Sequence, residues 1–496
     1  MLPGQTLQRN NLLLLSVVVL VALSYFYQVP SNPPGFYIDE ASIGYNAYTI
    51  AQSGKDEYGE SWPLYFRAFG EYKNPVYIYV LAALFRVCGP SILVARLLSA
   101  TLGVATILLI WWLAYRLSRI QIVASLVAVS AALTPWLYEN SRLVFEVALY
   151  PTLLLLFLLT LHRASQRERW NLSDSIPLTI ELVLLTYSYS IGRLFVPLLA
   201  LGLLFFVSKK RLRAIITIWL FYLLLAVPGF VYNYQHGGAL MFRFWLLTYI
   251  TPHSSFFEIG KNFISHYLAN INPWTIAIAG ENNVRDHVGN MGSVLAPTLL
   301  LSIAGLVLII LQRRKEAWWR YIVYALLIAP VPASLTITTL PQIRLIAVPV
   351  LLHVVMVPAV TWLSARSKAT VAVLTVAMLA IFTMGSIHRW EFRKAGPERW
   401  YIFDEQFPRE VFPLALTQNK TPIYFQDPPG KSGYAEAYWY AILRGLPLDS
   451  FVRLPPETKP PDGAVVISTA EDCSDCQLLL KSINYIVFVS GPGEKK

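Results

Sequence analysis

The sequence predicts an all-α polytopic membrane bundle of about eleven transmembrane helices, with interfacial helices in its first outer loop and a small C-terminal α/β domain. Three observations predict it. Hydrophobic residues make up 55% of the 496 residues, charged residues only 14%, and the mean hydropathy is +0.50. An ordinary soluble protein carries roughly 25% charged residues, so too few charges remain to cover soluble surfaces. Apolar runs of bilayer-crossing length, roughly 17–25 residues, recur along the chain. Basic residues cluster in alternate connections between those runs. The same figures exclude a collagen, a coiled coil, a disordered tail and a secreted disulfide scaffold; three cysteines make no disulfide framework. A net charge of +11 suggests nucleic acid, but the excess lies in short clusters between apolar runs, so no nucleic-acid partner is expected.

The runs fall near 11–28, 92–114, 120–137, 144–162, 175–191, 194–208, 213–231, 294–311, 320–336, 344–363 and 369–386. The first resembles a signal-peptide core in composition. It is long, and no small-residue cleavage site precedes the polar stretch at 30, so it reads as an anchor. One set of connections, with the N-terminus, holds sixteen basic residues, among them Arg163, Arg167, Lys209, Arg211, Arg313 and Arg366. The other set of short connections holds three: Arg142, Arg193 and Arg344. The positive-inside rule places the first set in the cytoplasm. Loops 30–91 and 232–293 and the tail from about 387 are then outside. Pro75–Cys88 is apolar but has 14 residues, about 21 Å as a helix. Counting it as a span would invert every later loop, so it reads as an interfacial helix.

The expected division is 1–386 for the membrane portion and 387–496 for an extracytoplasmic domain. In that domain Ile423–Phe425, Ala464–Ser468 and Tyr485–Val489 read as strands, Tyr434–Arg444 as a helix, and the stretch around Pro455-Pro456 and Pro460-Pro461 as a loop. Cys473 and Cys476 form C-x-x-C, open to a redox or zinc pair, a local disulfide, or no role.

This topology limits the chemistry. The longest cytoplasmic loop, 163–174, has about a dozen residues, whereas a domain needs at least about 50. No P-loop sequence appears. Enzymatic chemistry, if present, faces outward, where high-energy donors are usually lipid-linked.

In the first outer loop, Asp39 and Glu40 open a helix whose Ile43, Ala47, Ile50 and Ala51 share one face. A carboxylate is favoured at a helix N-terminus. Held at a membrane surface it can take a proton from a hydroxyl, or Asp39 can simply be an N-cap. Further on, Tyr72-Lys73 precedes Asn74-Pro75, a good N-cap and first-turn pair. Lys73 then sits beside a helix N-terminus, where a phosphate binds readily, or it snorkels to the headgroups. Arg142, Arg193 and Arg344 each lie at an outer membrane edge, where charge is costly and usually faces a cavity. Arg142 has an alternative partner in Glu146, one turn on.

With Ile38-Asp39-Glu40, Glu71-Tyr72-Lys73-Asn74-Pro75, Ser141-Arg142 with Glu146, Tyr187-Ser188-Tyr189 with Arg193, and Arg344, the chain resembles the C-type membrane glycosyltransferases. It is most similar to the bacterial relatives of protein O-mannosyltransferases and of the lipid A aminoarabinose transferase. The resemblance covers about residues 1–390. It implies an inverting transferase of a bacterial plasma membrane that moves a hexosyl or pentosyl group from a polyprenyl-monophosphate sugar. The acceptor would be a glycan, lipid or protein hydroxyl on the outer face. It implies Asp39 as general base with Glu40 in support, and Lys73 on the donor phosphate with Arg142, Arg193 and Arg344. Tyr72 and Glu146 would support them. A monophosphate leaving group met by fixed cations needs no obvious metal. Loop 232–293 holds His236, His253, His266, Glu281, Asp286 and His287, without a standard ligand spacing. The alternative is a transporter or lipid flippase, which would favour charges near the midplane and inverted repeats. Glu181 is the one deep acidic residue, and no repeat shows.

Overall fold

A computed structural model describes residues 16, 19–20, 23–288, 291–394, 399–428, 431–473 and 476–491. Half of the first apolar run, 11–28, lies outside the described residues. The chain is mostly helical and forms two compact units. One comprises Met1–Tyr27, Ser99–Arg142 and Glu146–Lys394, the other Gln28–Leu98, Leu143–Phe145 and Ala395–Lys496.

Six helices among the described residues are long and apolar enough to cross a membrane: Ile92–Ser118, Glu146–Ser165, Leu212–Gln235, Ala296–Arg313, Ala347–Arg366 and Lys368–Lys394. Other expected spans fold as shorter pieces. Gln121–Leu133 stops at Thr134-Pro135, because the residue before a proline is pushed out of the helical region. Leu172–Ser188 has 17 residues, Gly192–Leu201 continues as a 3₁₀ turn over Gly202–Phe206, and Ala317–Ile328 has 12. On Leu212–Gln235, Leu220, Phe221, Leu223, Leu224 and Phe230 are all exposed. Water would not tolerate such a face; lipid does.

Ala347–Arg366 is, with Glu146–Ser165, one of the two most enclosed of these spans, and its Val350, Leu351, Val355 and Met356 are fully buried. Gly305 of the facing span lets the backbones approach closely, since a Cβ there would overlap the Val355 carbonyl. Hydroxyls supply the remaining attachment: Ser302 donates to Leu352 O at 3.0 Å, and Ser130 and Thr298 share a bond of 2.9 Å.

In the second unit, β1 (Phe66–Ala68) and β2 (Glu71–Lys73) form an antiparallel hairpin. A five-stranded sheet runs β4 (Phe451–Leu454), β3 (Ile423–Gln426), β5 (Val465–Ser468), β7 (Ile486–Ser490), β6 (Cys476–Lys481). β4 and β5 flank β3 in parallel; β7 and β6 are antiparallel additions. The Tyr434–Leu443 helix makes the β3-to-β4 crossover that a parallel pair requires. The three expected strands and the helix are present; β4 and β6 are additional. Cys473 and Cys476 are disulfide-bonded, not a thiol pair.

The Ile38–Ser53 helix packs on this crossover helix. Gly44 leaves room for the Trp439 ring, and Tyr45 stacks on Tyr438 with centroids 5.1 Å apart. Phe36 stacks on Trp439 with centroids 5.4 Å apart. The first loop and the tail therefore share one apolar core. Pro75–Cys88 is a 14-residue helix burying Tyr77, Ile78, Leu81, Ala82 and Phe85, too short to cross a bilayer.

Arg96 closes the loop. Its Nη2 meets Glu40 Oε2 at 2.9 Å and its Nε meets Oε1 at 3.2 Å, with both side chains essentially unexposed, while Nη1 and Nη2 also donate to the carbonyls of Pro30, Pro33 and Gly35. Arg96→Met would leave the Glu40 carboxylate buried without its cation, a change worth about 3–5 kcal/mol. The variant should melt lower and digest faster in detergent, and Glu40→Met added to it should restore much of the loss. A single variant as stable as the parent would show that the pair holds nothing.

Candidate active site

The acidic helix N-terminus and the lysine meet. Tyr37, extended, occupies the N-cap of Ile38–Ser53, and Glu40 Oε2 accepts from Tyr37 N at 2.8 Å. Glu40 Oε1 also accepts from Val144 N at 2.9 Å. Glu40 therefore takes the capping and anchoring work, and Asp39, two residues past the cap, is not the N-cap. Its carboxylate remains within the first turn, on the favourable end of the helix dipole.

Lys73 is delivered by the β1–β2 hairpin. Phe69 and Gly70 both have positive φ, 56° and 80°, as a tight type I′-like turn requires. Lys73 ends β2 and is followed by the Asn74 N-cap and Pro75 in the first turn of the next helix. Its Nζ lies 2.5 Å from Asp39 Oδ1, with exposures of 5% and 13% for the two side chains. The rings of Phe69 and Phe145 stand 5.3 and 5.8 Å from the ammonium. The result is a nearly dry ion pair walled by aromatics. Tyr72 is half-buried beside it in β2, paired in register with Arg67.

Arg142, Glu146, Arg193 and Arg344 belong to the other unit. Arg142, 2% exposed, donates to Tyr25 O at 2.7 Å. Arg193 donates to Leu240 O at 2.5 Å. Arg344 donates to Thr336 Oγ1 at 2.8 Å. Glu146 and Arg344 both lie in electrostatic reach of the buried Tyr189. Tyr187 is structural, because its hydroxyl donates to Leu225 O and accepts from Gly229 N, bridging the helix that Pro228 interrupts.

Three residues of consequence were not anticipated. Arg96 is one; a lone arginine inside the apolar run 92–114 was its signal. Arg389 lies 3.0 Å from the centroid of Tyr138, which Arg142 also faces at 5.5 Å. Glu139 accepts from Val288 N at 2.9 Å and bonds His287 Nδ1 at 2.9 Å and His388 Nε2 at 3.0 Å. Burial opposes its charge, but the two imidazoles outweigh it and hold the Glu139 carboxyl down near 2. His287 is raised in return, Glu139 prevailing over burial.

The rest of loop 232–293 is dispersed. His236 stacks on Tyr232 and His266 on Tyr249. Asp286 is bound by Arg285, and Glu281 accepts from Gln342 N at 2.9 Å. Burial, with Asp286 nearby, pushes Glu281 up to about 8. Among the described residues no three such side chains gather as a metal site.

Long apolar helices and a small α/β sheet give this chain a fold with counterparts among solved structures. The particulars come from ArnT of Cupriavidus metallidurans. Its crystal structure bound to undecaprenyl phosphate matches with a TM-score of 0.63 at 12% identity, over 97% of this chain and 99% of that one. Its apo crystal structure matches at 0.61 and 13%, over 96% and 99%. The S. cerevisiae Pmt1–Pmt2 O-mannosyltransferase bound to its sugar donor gives 0.37 at 17%, over 47% of this chain and 34% of that one, too slight to carry weight. At these identities the likeness establishes the fold. No protein-family model and no curated protein matches the chain.

One titration follows from the loop. Asn46 Nδ2 donates to Glu57 Oε1 and Asn46 Oδ1 accepts from Glu57 N, both at 3.1 Å. Burial, opposed by that amide, pushes the Glu57 carboxyl up to about 7. An unfolded glutamate releases its proton near 4.3, so between these values the folded state binds more protons. Its contribution to stability is full below the unfolded value and is lost as pH rises through about 7. Melting temperature should therefore fall less between pH 5 and 8 (roughly the span of the titration) in Glu57→Gln than in the parent. Identical slopes would exclude Glu57 as the source.

Proposed function

We propose that the chain is an inverting glycosyltransferase that moves a hexosyl or pentosyl group from a polyprenyl-monophosphate donor to an acceptor hydroxyl on the outer face of a bacterial plasma membrane. The observation that carries this is the Asp39–Lys73 ion pair, 2.5 Å long and almost dry, in a chain with the ArnT fold. That ArnT structure holds undecaprenyl phosphate, and a donor of the same kind suits this site. The proposed architecture has about eleven spans and interfacial helices in the first loop, with residues 1–386 as the transferase portion and 387–496 outside.

The pair suggests an order of events. A carboxylate held by a lysine is a weak base. The donor phosphate offers Lys73 a second anion, and Lys73 turns to it together with Arg142, Arg193 and Arg344. Asp39 is then free to act, with Glu40 and Arg96 holding its helix in place and Tyr72 and Glu146 lining the site. The acceptor oxygen attacks the anomeric carbon as its proton passes to Asp39. The bond from that carbon to the phosphate oxygen breaks, and polyprenyl phosphate leaves with the electron pair. Fixed cations stabilise the charge that develops on it. One displacement inverts the anomeric centre.

Asp39→Asn keeps the side-chain size and removes the base. The variant should fold and bind polyprenyl phosphate, yet lose transfer by roughly 10²–10⁴-fold, the usual worth of a general base. Near-parental turnover by well-folded Asp39→Asn would remove Asp39 from this role.

A further inference from the structure

A cavity opens in the helical unit at the end carrying the basic connections. Pro358 interrupts Ala347–Arg366: lacking an N–H, it leaves the Val354 carbonyl without its partner. Beside it opens a cavity of about 430 Å³, within the roughly 300–1,000 Å³ of small-ligand sites. The ends of four helices form it. Ser118 closes one side, and Arg313, Trp319, Trp362 and Arg366 line the others, with no carboxylate among the lining residues.

The two arginines terminate two candidate spans, Ala296–Arg313 and Ala347–Arg366, and line the same cavity. Each lies over an indole: Arg313 is 5.7 Å from the Trp319 centroid and Arg366 is 4.7 Å from that of Trp362. Neither guanidinium has a hydrogen-bond or ion-pair partner among the described residues. A guanidinium stacked on a ring keeps its in-plane N–H donors for another ligand, and that planar fork fits a phosphate. Tryptophan is the residue of the headgroup boundary. The connections 313–320 and 366–368 carry six basic residues and one acidic residue, Glu316, which attracts an anionic leaflet. Leu117, Leu308 and Val357 supply an apolar wall below the arginines.

We propose that this cavity binds the headgroup of an anionic phospholipid from the leaflet opposite the outer loops. The phosphate lies between Arg313 and Arg366, and the acyl chains run along the apolar wall. This site is separate from Asp39 and Lys73 and does not depend on the transferase reading.

The test is native mass spectrometry of the full chain in neutral detergent, with phosphatidylglycerol, phosphatidylcholine and the water-soluble glycerophosphoglycerol as probes. Phosphatidylglycerol should be retained at least about tenfold more tightly than phosphatidylcholine, the worth of one charge-assisted hydrogen bond. The soluble headgroup should bind far more weakly than the lipid. R313Q/R366Q should abolish the preference. R314Q/K315Q removes the same charge from residues that do not line the cavity, and should keep the preference. Equal retention of phosphatidylcholine, binding of the soluble headgroup as tight as the lipid, an unchanged preference in R313Q/R366Q, or its equal loss in R314Q/K315Q would each overturn the proposal.

Discussion

A guanidinium with 1% exposure must be surrounded by oxygen, and Arg96 organises the first loop by that requirement. It gathers the carbonyls of Pro30, Pro33 and Gly35 and both oxygens of Glu40. Glu40 spends its remaining capacity on Tyr37 N and Val144 N. The desolvation of such a pair is offset only when every lone pair and proton is used, and here they are. The entry into the Ile38–Ser53 helix is thereby fixed, and the direction of the Asp39 carboxylate with it. The two neighbouring acidic residues differ in role: Glu40 is locked, and Asp39 faces a lysine.

Rigidity around Lys73 has a different source. A two-residue turn with two positive φ values places Phe69 back over the ammonium, and Pro75 stiffens the chain just after it. The lysine is placed by backbone geometry, and Asp39 by the helix entry that Glu40 and Arg96 fix. On the proposed reading the aromatic wall and low exposure strengthen the Asp39–Lys73 contact, because the effective dielectric is low.

Much of this was legible in the sequence because it is periodic or local. The apolar runs, the helix face of Ile43, Ala47 and Ile50, the Asn74-Pro75 start, the alternating strand Ile423–Gln426 and the apolar strands Val465–Ser468 and Ile486–Ser490 are written in consecutive residues. Contacts across sequence were not. Asp39 and Lys73 are 34 residues apart and Glu40 and Arg96 are 56 apart, so the second pair was invisible, although a lone arginine in an apolar run announced that a partner exists. β4 ends at Pro455-Pro456 and has four residues, too few for its alternation to stand out from the loop after it. β6 begins at Cys476, where the C-x-x-C spacing drew attention to sulfur chemistry. The joint core of the first loop and the tail depends on Gly44 making room for Trp439, a steric fit that no pattern in either segment encodes.

Donor class is the central claim about function. The most direct measurement gives the purified full chain a panel of radiolabelled sugars, each presented once on polyprenyl monophosphate and once on a nucleotide, with cell-envelope extract as acceptor. Label is expected to enter an envelope fraction from a polyprenyl-linked sugar and from no nucleotide sugar. Transfer from a nucleotide sugar, or no transfer from any polyprenyl-linked sugar by folded protein that binds polyprenyl phosphate, would contradict it.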